Sequence, residues 1–323
     1  MGEHYRKNTQ LQCYTKRKNE VDHFVYSTME TSIKIIKFTT SFLLAFASII
    51  IFTHTPNASA ASADGQQLEV PQGSSASLNW SGYVAGGKQS TGQNIDQYTS
   101  VTGTWVVPTV SASSSAGATG SADATWVGIG GVKTRDLIQA GTQALVQDGT
   151  VTYSAWVETL PGFSKSVPLK ISSGDSVTTT LTEQSAGEWL ITITNNTTGT
   201  TYSRTVSYNS SLSSAEWVEE MVSNANGTFR PLDSFGSVTF THAAATLNGT
   251  SENLSQLGAQ PLQMVNSGKG QTLAVASALQ ADNASFTVAR STAAAVAAPA
   301  SYAVRSVRTI HYRRGFTITF IRM

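Results

Sequence analysis

The chain reads as an all-β protein, a sandwich or barrel built from antiparallel strands. Three observations predict this. Short runs rich in Val, Ile, Thr, Tyr and Trp recur from Tyr98 to Arg290, and such residues suit pleated, half-buried surfaces. Clusters of Gly, Asn, Asp and Ser separate the runs, as turns do. No amphipathic helical period is found between residues 98 and 243, so the strands must close their edges against one another.

Taken in order, the expected strands are "YTSVTGTWVV" (98–107), "ATWVGIG" (124–130), "DLIQAGTQALV" (136–146), "TVTYSAWVE" (150–158) and "SVPLKIS" (166–172). Next come "SVTTTLTE" (176–183), "EWLITITN" (188–195), "TYSRTVSY" (201–208), "AEWVEEMV" (215–222) and "GSVTFTHA" (236–243). "QPLQMV" (260–265) and "SFTVAR" (285–290) close the set. Turns are expected at "SSGD" (172–175), "NNTTGT" (195–200) and "NANGT" (224–228), and "SASSSAGATGSAD" (111–123) reads as a Ser/Gly/Ala loop.

Residues 1–63 read as a leader rather than as part of the fold. Lys34 and Lys37 precede the apolar run "FTTSFLLAFASIIIF", and the small-residue stretch "NASAASA" follows it. That is the layout of a signal peptide, with cleavage expected near Ala60 or Ala63. The run is short for a membrane span, which needs ~20 apolar residues, so no membrane anchor is expected after cleavage. The long polar stretch before it suggests Met29 as the start. Residues 64–77 form a short linker or pro-segment, 78–290 the folded body, and 291–323 an Ala-rich and then basic tail. That tail could be an appendage, a surface-binding segment or a frameshifted end.

From Asp64 to Arg290 the chain carries 16 acidic and 9 basic residues. An acidic body argues against nucleic acid as a partner. The only cysteine, Cys13, lies in the leader. An exported body therefore has no disulfide, no thiolate nucleophile and no cysteine-based metal site. Within the body the only histidine is His242, which excludes a Cys–His dyad and a multi-histidine metal centre. No G-x-S-x-G elbow is present. If the body is an enzyme, its acid–base chemistry falls mainly on carboxylates, and no metal or cofactor is expected.

Strand alternation then sorts the carboxylates. "AEWVEE" puts Glu216, Val218 and Glu220 on one face, with Ala215, Trp217 and Glu219 on the other. "DLIQAGTQ" puts Leu137, Gln139 and Gly141 opposite Ile138 and Ala140. "YSAWVE" sets Tyr153, Ala155 and Val157 against Ser154, Trp156 and Glu158. One sheet face can thus present Gln139, Trp156, Glu158 and Glu220 together. Glutamates on strands are also commonly solvated charges, and tryptophans are commonly core or rim. Read from the residues, the result is a secreted all-β domain with carboxylates on its strands.

The wording and order of eight segments go further. "LNWSGYVAGG" (78–87), "YTSVTGTWVVP" (98–108), "ATWVGIGG" (124–131), "LIQAGTQ" (137–143), "YSAWVETLP" (153–161), "SGDSV" (173–177), "NNTTG" (195–199) and "AEWVEE" (215–220) resemble the glutamic peptidases, or eqolisins. The resemblance implies an antiparallel two-sheet β-sandwich of concanavalin-like, jelly-roll type. It implies a secreted, pepstatin-insensitive acid endopeptidase that acts on polypeptides as a monomer. Its catalytic pair would be Gln139, in "LIQAG", and Glu220, which closes "AEWVEE". Trp80, Trp126, Trp156, Glu158 and Glu216 carry over as substrate-groove positions. Glu219 falls where the family has an apolar residue and is expected to be a surface charge. The chain departs from the family's fungal members at Gly130 and Ser154, where they have Asp, and at Leu160, where they have Tyr.

In the implied mechanism an ionised Glu220 takes a proton from a water held between it and Gln139. Gln139 donates to the oxyanion, and Glu220 returns the proton to the leaving amine. The alternative is a carbohydrate-active or carbohydrate-binding sandwich, with Glu158 and Glu220 as a glycosidase pair if ~5–9.5 Å apart. A non-catalytic surface-binding module is a third.

Overall fold

The computed structural model describes residues 71, 74–86, 96–113, 120–224, 227–266 and 271–291, and the backbone of four outlying strands. The expected leader (1–63), with Met29 and Cys13, lies outside the described residues except for the backbone at 59–61. Most of 64–73 and the side chains of the 292–323 tail also lie outside them.

The outlying strands are β1 (Ser59–Ala61) and β2 (Gln67–Glu69), which pair antiparallel. The body opens with β3 (Ser75–Ser77), β4 (Trp80–Ala85), β5 (Tyr98–Val106), β6 (Ser121–Gly130) and β7 (Leu137–Gln147). It continues with β8 (Thr150–Thr159), β9 (Lys165–Ser166), β10 (Ser176–Ser185), β11 (Glu188–Asn195) and β12 (Thr200–Ser207). Then follow β13 (Ala215–Glu220), β14 (Ser237–Leu247), β15 (Thr250–Asn253), β16 (Gln260–Val265), β17 (Thr272–Ala276) and β18 (Phe286–Arg290). In the tail, β19 (Ser306–His311) and β20 (Thr317–Arg322) form a hairpin whose second strand pairs β3.

One layer runs β9-β8-β7-β6-β13-β4-β16. The other runs β12-β11-β10-β5-β14-β18-β17. β17 pairs β16, so one ladder folds back on itself as a sandwich. All of these pairings are antiparallel, and only β3 runs parallel to its partner β16. No helix is present among the described residues.

Between the layers lie Val101, Trp105, Val177, Leu181, Ile191, Ile193 and Phe240, facing Val127, Ile129, Ile138, Ala140 and Trp217. Burying each of the Val, Leu, Ile and Phe side chains contributes about 1.5–3 kcal/mol. The tryptophans carry their polar edges to partners: Trp217 Nε1 donates to the Thr102 carbonyl at 2.7 Å, and Trp105 Nε1 donates to Thr142 Oγ1 at 2.9 Å. The threonine-rich composition serves the outer face. There Thr102 pairs with Thr180 and Thr104 with Thr178 through hydroxyls at 2.8 Å, a stabilising cross-strand pair type.

Alternation holds on the strands that matter for function. Ala215 and Trp217, Ile138 and Ala140, and Tyr153, Ala155 and Val157 face the inter-layer core. Val218, Leu137 and Trp156 belong to a separate apolar cluster, on the outer face of the same sheet. Three expectations are corrected. Of "SVPLKIS", Ser166 is in a strand, as part of β9, because Pro168 has no N–H to give a ladder; Leu169 and Ile171 are buried all the same. The 111–123 loop ends early, because Ser121, Ala122 and Asp123 are buried and belong to β6. Glu219 is not a surface charge: it is fully buried on the inward side of β13.

Candidate active site

The outer face of β13, β6, β7 and β8 carries a groove with about 140 Å³ of space. Its lining includes Gln139, Gln143, Trp156, Glu158, Leu160 and Glu220. Register explains the grouping. Gln139 on β7 pairs directly with Glu158 on β8, and Glu220 on β13 pairs with Ala124 on β6, which pairs with Gln143 on β7.

Two glycines allow these strands to approach. At Gly82, φ is +149°, and a Cβ would collide with the Trp217 carbonyl of β13. At Gly141 a Cβ would collide with the Thr125 carbonyl and lie 2.7 Å from Trp126 Cα. These are the glycines of "NWSGY" and "LIQAG", so the motifs keep them for backbone contact.

Glu220 is nearly fully buried, and N–H groups hold both of its oxygens. Trp126 Nε1 donates to Oε2 at 2.8 Å, and Asn79 Nδ2 donates to Oε1 at 3.0 Å. Burial pushes its pKa up to about 8, because the charged form loses hydration. The neighbouring Glu158 charge adds to that rise, and hydrogen bonds from Trp126, Trp80 and Asn79 oppose it. Glu158 is itself raised to about 7 by burial, with Gln139 pulling the other way. Gln139 Nε2 donates to Glu158 Oε2 at 2.5 Å. Burial and the Glu158 charge thus favour the protonated form of Glu220, while the Trp126 and Asn79 donors favour the ionised form that the resemblance implies.

The other expected groove residues divide. Trp156 and Glu158 line the groove. Trp80 and Trp126 are fully buried beneath it, edge to face with centroids 4.9 Å apart and planes at 78°. Glu216 lies on the same face but has no exposed surface, and burial raises its pKa well above that of an ordinary glutamate. It faces Gly128 and Val84 in the ladder rather than the groove. Sequence reasoning missed Asn79, although it stands beside Trp80 in the quoted "LNWSG". It also missed the inward partners of Glu219, namely Asp123 and Asp233.

The family model for the peptidase A4 family matches residues 78–290. The chain belongs to this family. It is 34% identical over 196 residues to aspergillopepsin-2 of Aspergillus niger, a match that covers 54% of this chain and 66% of that protein. The chain thus spans just under two thirds of that relative's length. Among solved structures it is similar to scytalido-glutamic peptidase bound to a peptide-based transition-state analogue. There the identity is 28% and the TM-score 0.54, with 66% of this chain and 98% of that one covered. It is also similar to SCP-B, a member of the eqolisin family, in complex with the tripeptide Ala-Ile-His. That match has 27% identity and a TM-score of 0.52, with the same coverage.

Proposed function

We propose that this A4-family protein is a secreted acid endopeptidase that hydrolyses peptide bonds with Gln139 and Glu220. The observation that carries the reading is their convergence. From different strands they line one groove, Glu220 gripped by N–H donors and Gln139 oriented by Glu158. The peptide ligands bound by scytalido-glutamic peptidase and SCP-B support a polypeptide substrate. The carbohydrate alternative has no counterpart in the family match.

The chemistry follows from the proton positions. One N–H of the Gln139 amide is committed to Glu158, which leaves the second to donate to a developing oxyanion. One such donor contributes about 2.7–4 kcal/mol to transition-state stabilisation. Water attacks the carbonyl carbon and gives a proton to one oxygen of Glu220. The other oxygen gives its proton to the leaving nitrogen as the C–N bond breaks. One proton is taken and one is given, so the carboxyl ends as it began, with no covalent intermediate. Because the resting acid is protonated, donation limits the reaction at high pH, which supports operation in acid.

Secretion is part of the proposal and is supported by the lysine-flanked apolar run and the "NASAASA" stretch. The test is cleavage of denatured casein at about pH 3–4 with pepstatin present, where a carboxyl-based site retains its proton. Activity that persists in pepstatin and is lost in both Gln139→Ala and Glu220→Gln is expected. Full activity in either variant would refute the pair. Intact mass of the secreted protein would locate the cleavage point.

A further inference from the structure

We propose that Asn79 is a positioning residue that fixes the carboxyl plane of Glu220 for proton transfer. The inference rests on Glu220 as the proton-transferring group and adds a residue to that site. It comes from the bend between β3 and β4, where Ser77, Asn79 and Trp80 are all completely buried.

The bend grips the end of β13 at two points. The Asn79 carbonyl accepts from Met221 N at 2.8 Å, and the Asn79 side chain donates to Glu220 Oε1 at 3.0 Å. One asparagine therefore holds the backbone just past Glu220 and the carboxyl itself. Ser77 sets which way the carboxamide faces. Its hydroxyl lies 3.4 Å from Asn79 Oδ1, while its oxygen accepts from Trp80 N at 3.2 Å and Asn79 N at 3.4 Å. With Oδ1 turned to Ser77, Nδ2 is left for Glu220.

A carboxyl held at one oxygen can still pivot about its terminal torsion. Held at both, by Asn79 and by Trp126, it cannot turn without losing a hydrogen bond. The Trp126 anchor is fixed in turn by its edge-to-face packing on Trp80, the residue that follows Asn79. The two anchors thus share one origin at the start of β4. A neutral N–H donor also favours the ionised carboxyl over the protonated one. Asn79 consequently acts on both the orientation of Glu220 and its acidity.

The test uses Asn79→Ala and the isosteric Asn79→Asp in the full secreted chain. Two readouts apply: peptide hydrolysis across pH, and the ¹³C titration of the Glu220 carboxyl, assigned with Glu220→Gln. In Asn79→Ala the Glu220 titration moves to higher pH, and kcat falls by about 10- to 100-fold with KM changed little. In Asn79→Asp the introduced carboxyl donates to Glu220 while protonated, so partial activity remains in strong acid and disappears as that group ionises. If Asn79→Ala does not fold, this pH-dependent loss carries the test. An unmoved Glu220 titration, with activity and stability lost in parallel at every pH, would overturn the proposal. Wild-type activity in Glu220→Gln would instead refute the catalytic reading of Glu220, while the titration would still report the Asn79 contact.

Discussion

Gln139 and Glu158 are direct register partners on β7 and β8, and the amide of one donates to the carboxyl of the other at 2.5 Å. A glutamine has two N–H bonds and a freely turning amide. Glu158 takes one of these bonds and stops the turning, so the other has a defined direction. Glu158 also raises the pKa of Glu220 by its charge. One residue thereby acts on both members of the proposed pair.

Replacing Glu158 separates these effects. Glu158→Ala frees the Gln139 amide, and kcat falls by about 100-fold, the loss that a misplaced catalytic group gives, while KM changes little. Glu158→Gln keeps an oxygen for Gln139 to bond and loses less. Steady-state kinetics on a peptide substrate check both. A change confined to KM would mean that Glu158 binds substrate rather than orienting Gln139.

The pH profile follows from the two raised carboxyls, about 7 for Glu158 and about 8 for Glu220. Both are protonated in acid, and the protons leave as pH rises through these values. Hydrolysis that needs a proton on Glu220 therefore declines on the alkaline side, across about pH 7–8. In Glu158→Gln the neighbouring charge is gone, Glu220 becomes more acidic, and the decline moves to lower pH. A rate that climbs over the same interval would show that Glu220 acts first as a base.

Alternation and a few fixed glycines made much of this site legible in the sequence. Gln139, Trp156, Glu158 and Glu220 fall on one face because strand side chains alternate, and only their meeting across β6 and β7 needed the structure. Asn79 belongs to a bend with no period, so no pattern marks it. Asp123 stands in a Ser/Gly/Ala stretch that looks like a loop, and β6 extends into it because the facing β7 buries those small residues. Glu219 was misjudged for a physical reason. Carboxylates are usually exposed, and its burial depends on partners brought from other strands.

Gly141 tests the reading of "LIQAG". An added methyl would strike the Thr125 carbonyl and the Trp126 backbone, which belong to the neighbouring strand and cannot swing away. Gly149, in the β7–β8 turn, has φ +75° and open space around its missing Cβ. Gly149→Ala then meets only backbone strain, about 1–2 kcal/mol. Gly141→Ala costs more, in the upper range for single substitutions, above about 4 kcal/mol. Urea unfolding at one acidic pH compares them, and equal losses would refute the close-approach account.

The inward carboxyls predict how the fold responds to pH. Glu219 hydrogen-bonds Asp123, and Asp123 hydrogen-bonds Asp233, all three essentially without exposed surface. Two carboxyls can share a hydrogen bond only if one keeps its proton. Thr125 Oγ1 donates to Glu219 at 2.7 Å, and Ser121 and the Arg290 charge both pull the Asp233 pKa down. Burial, more than mutual repulsion, pushes all three above ordinary carboxylates. The native state therefore binds more protons than the unfolded chain once pH exceeds about 4, the ordinary carboxylate value. Stability is complete below that point and is lost as pH rises through the native values. Asp123→Asn supplies an acceptor for Glu219 and a donor for Asp233 without needing a proton. The variant is expected to unfold at the same temperature as the wild type near pH 4 and at a higher one near pH 7. Thermal unfolding across that range measures it, and an equal shift at both ends would show that proton sharing is not the cause.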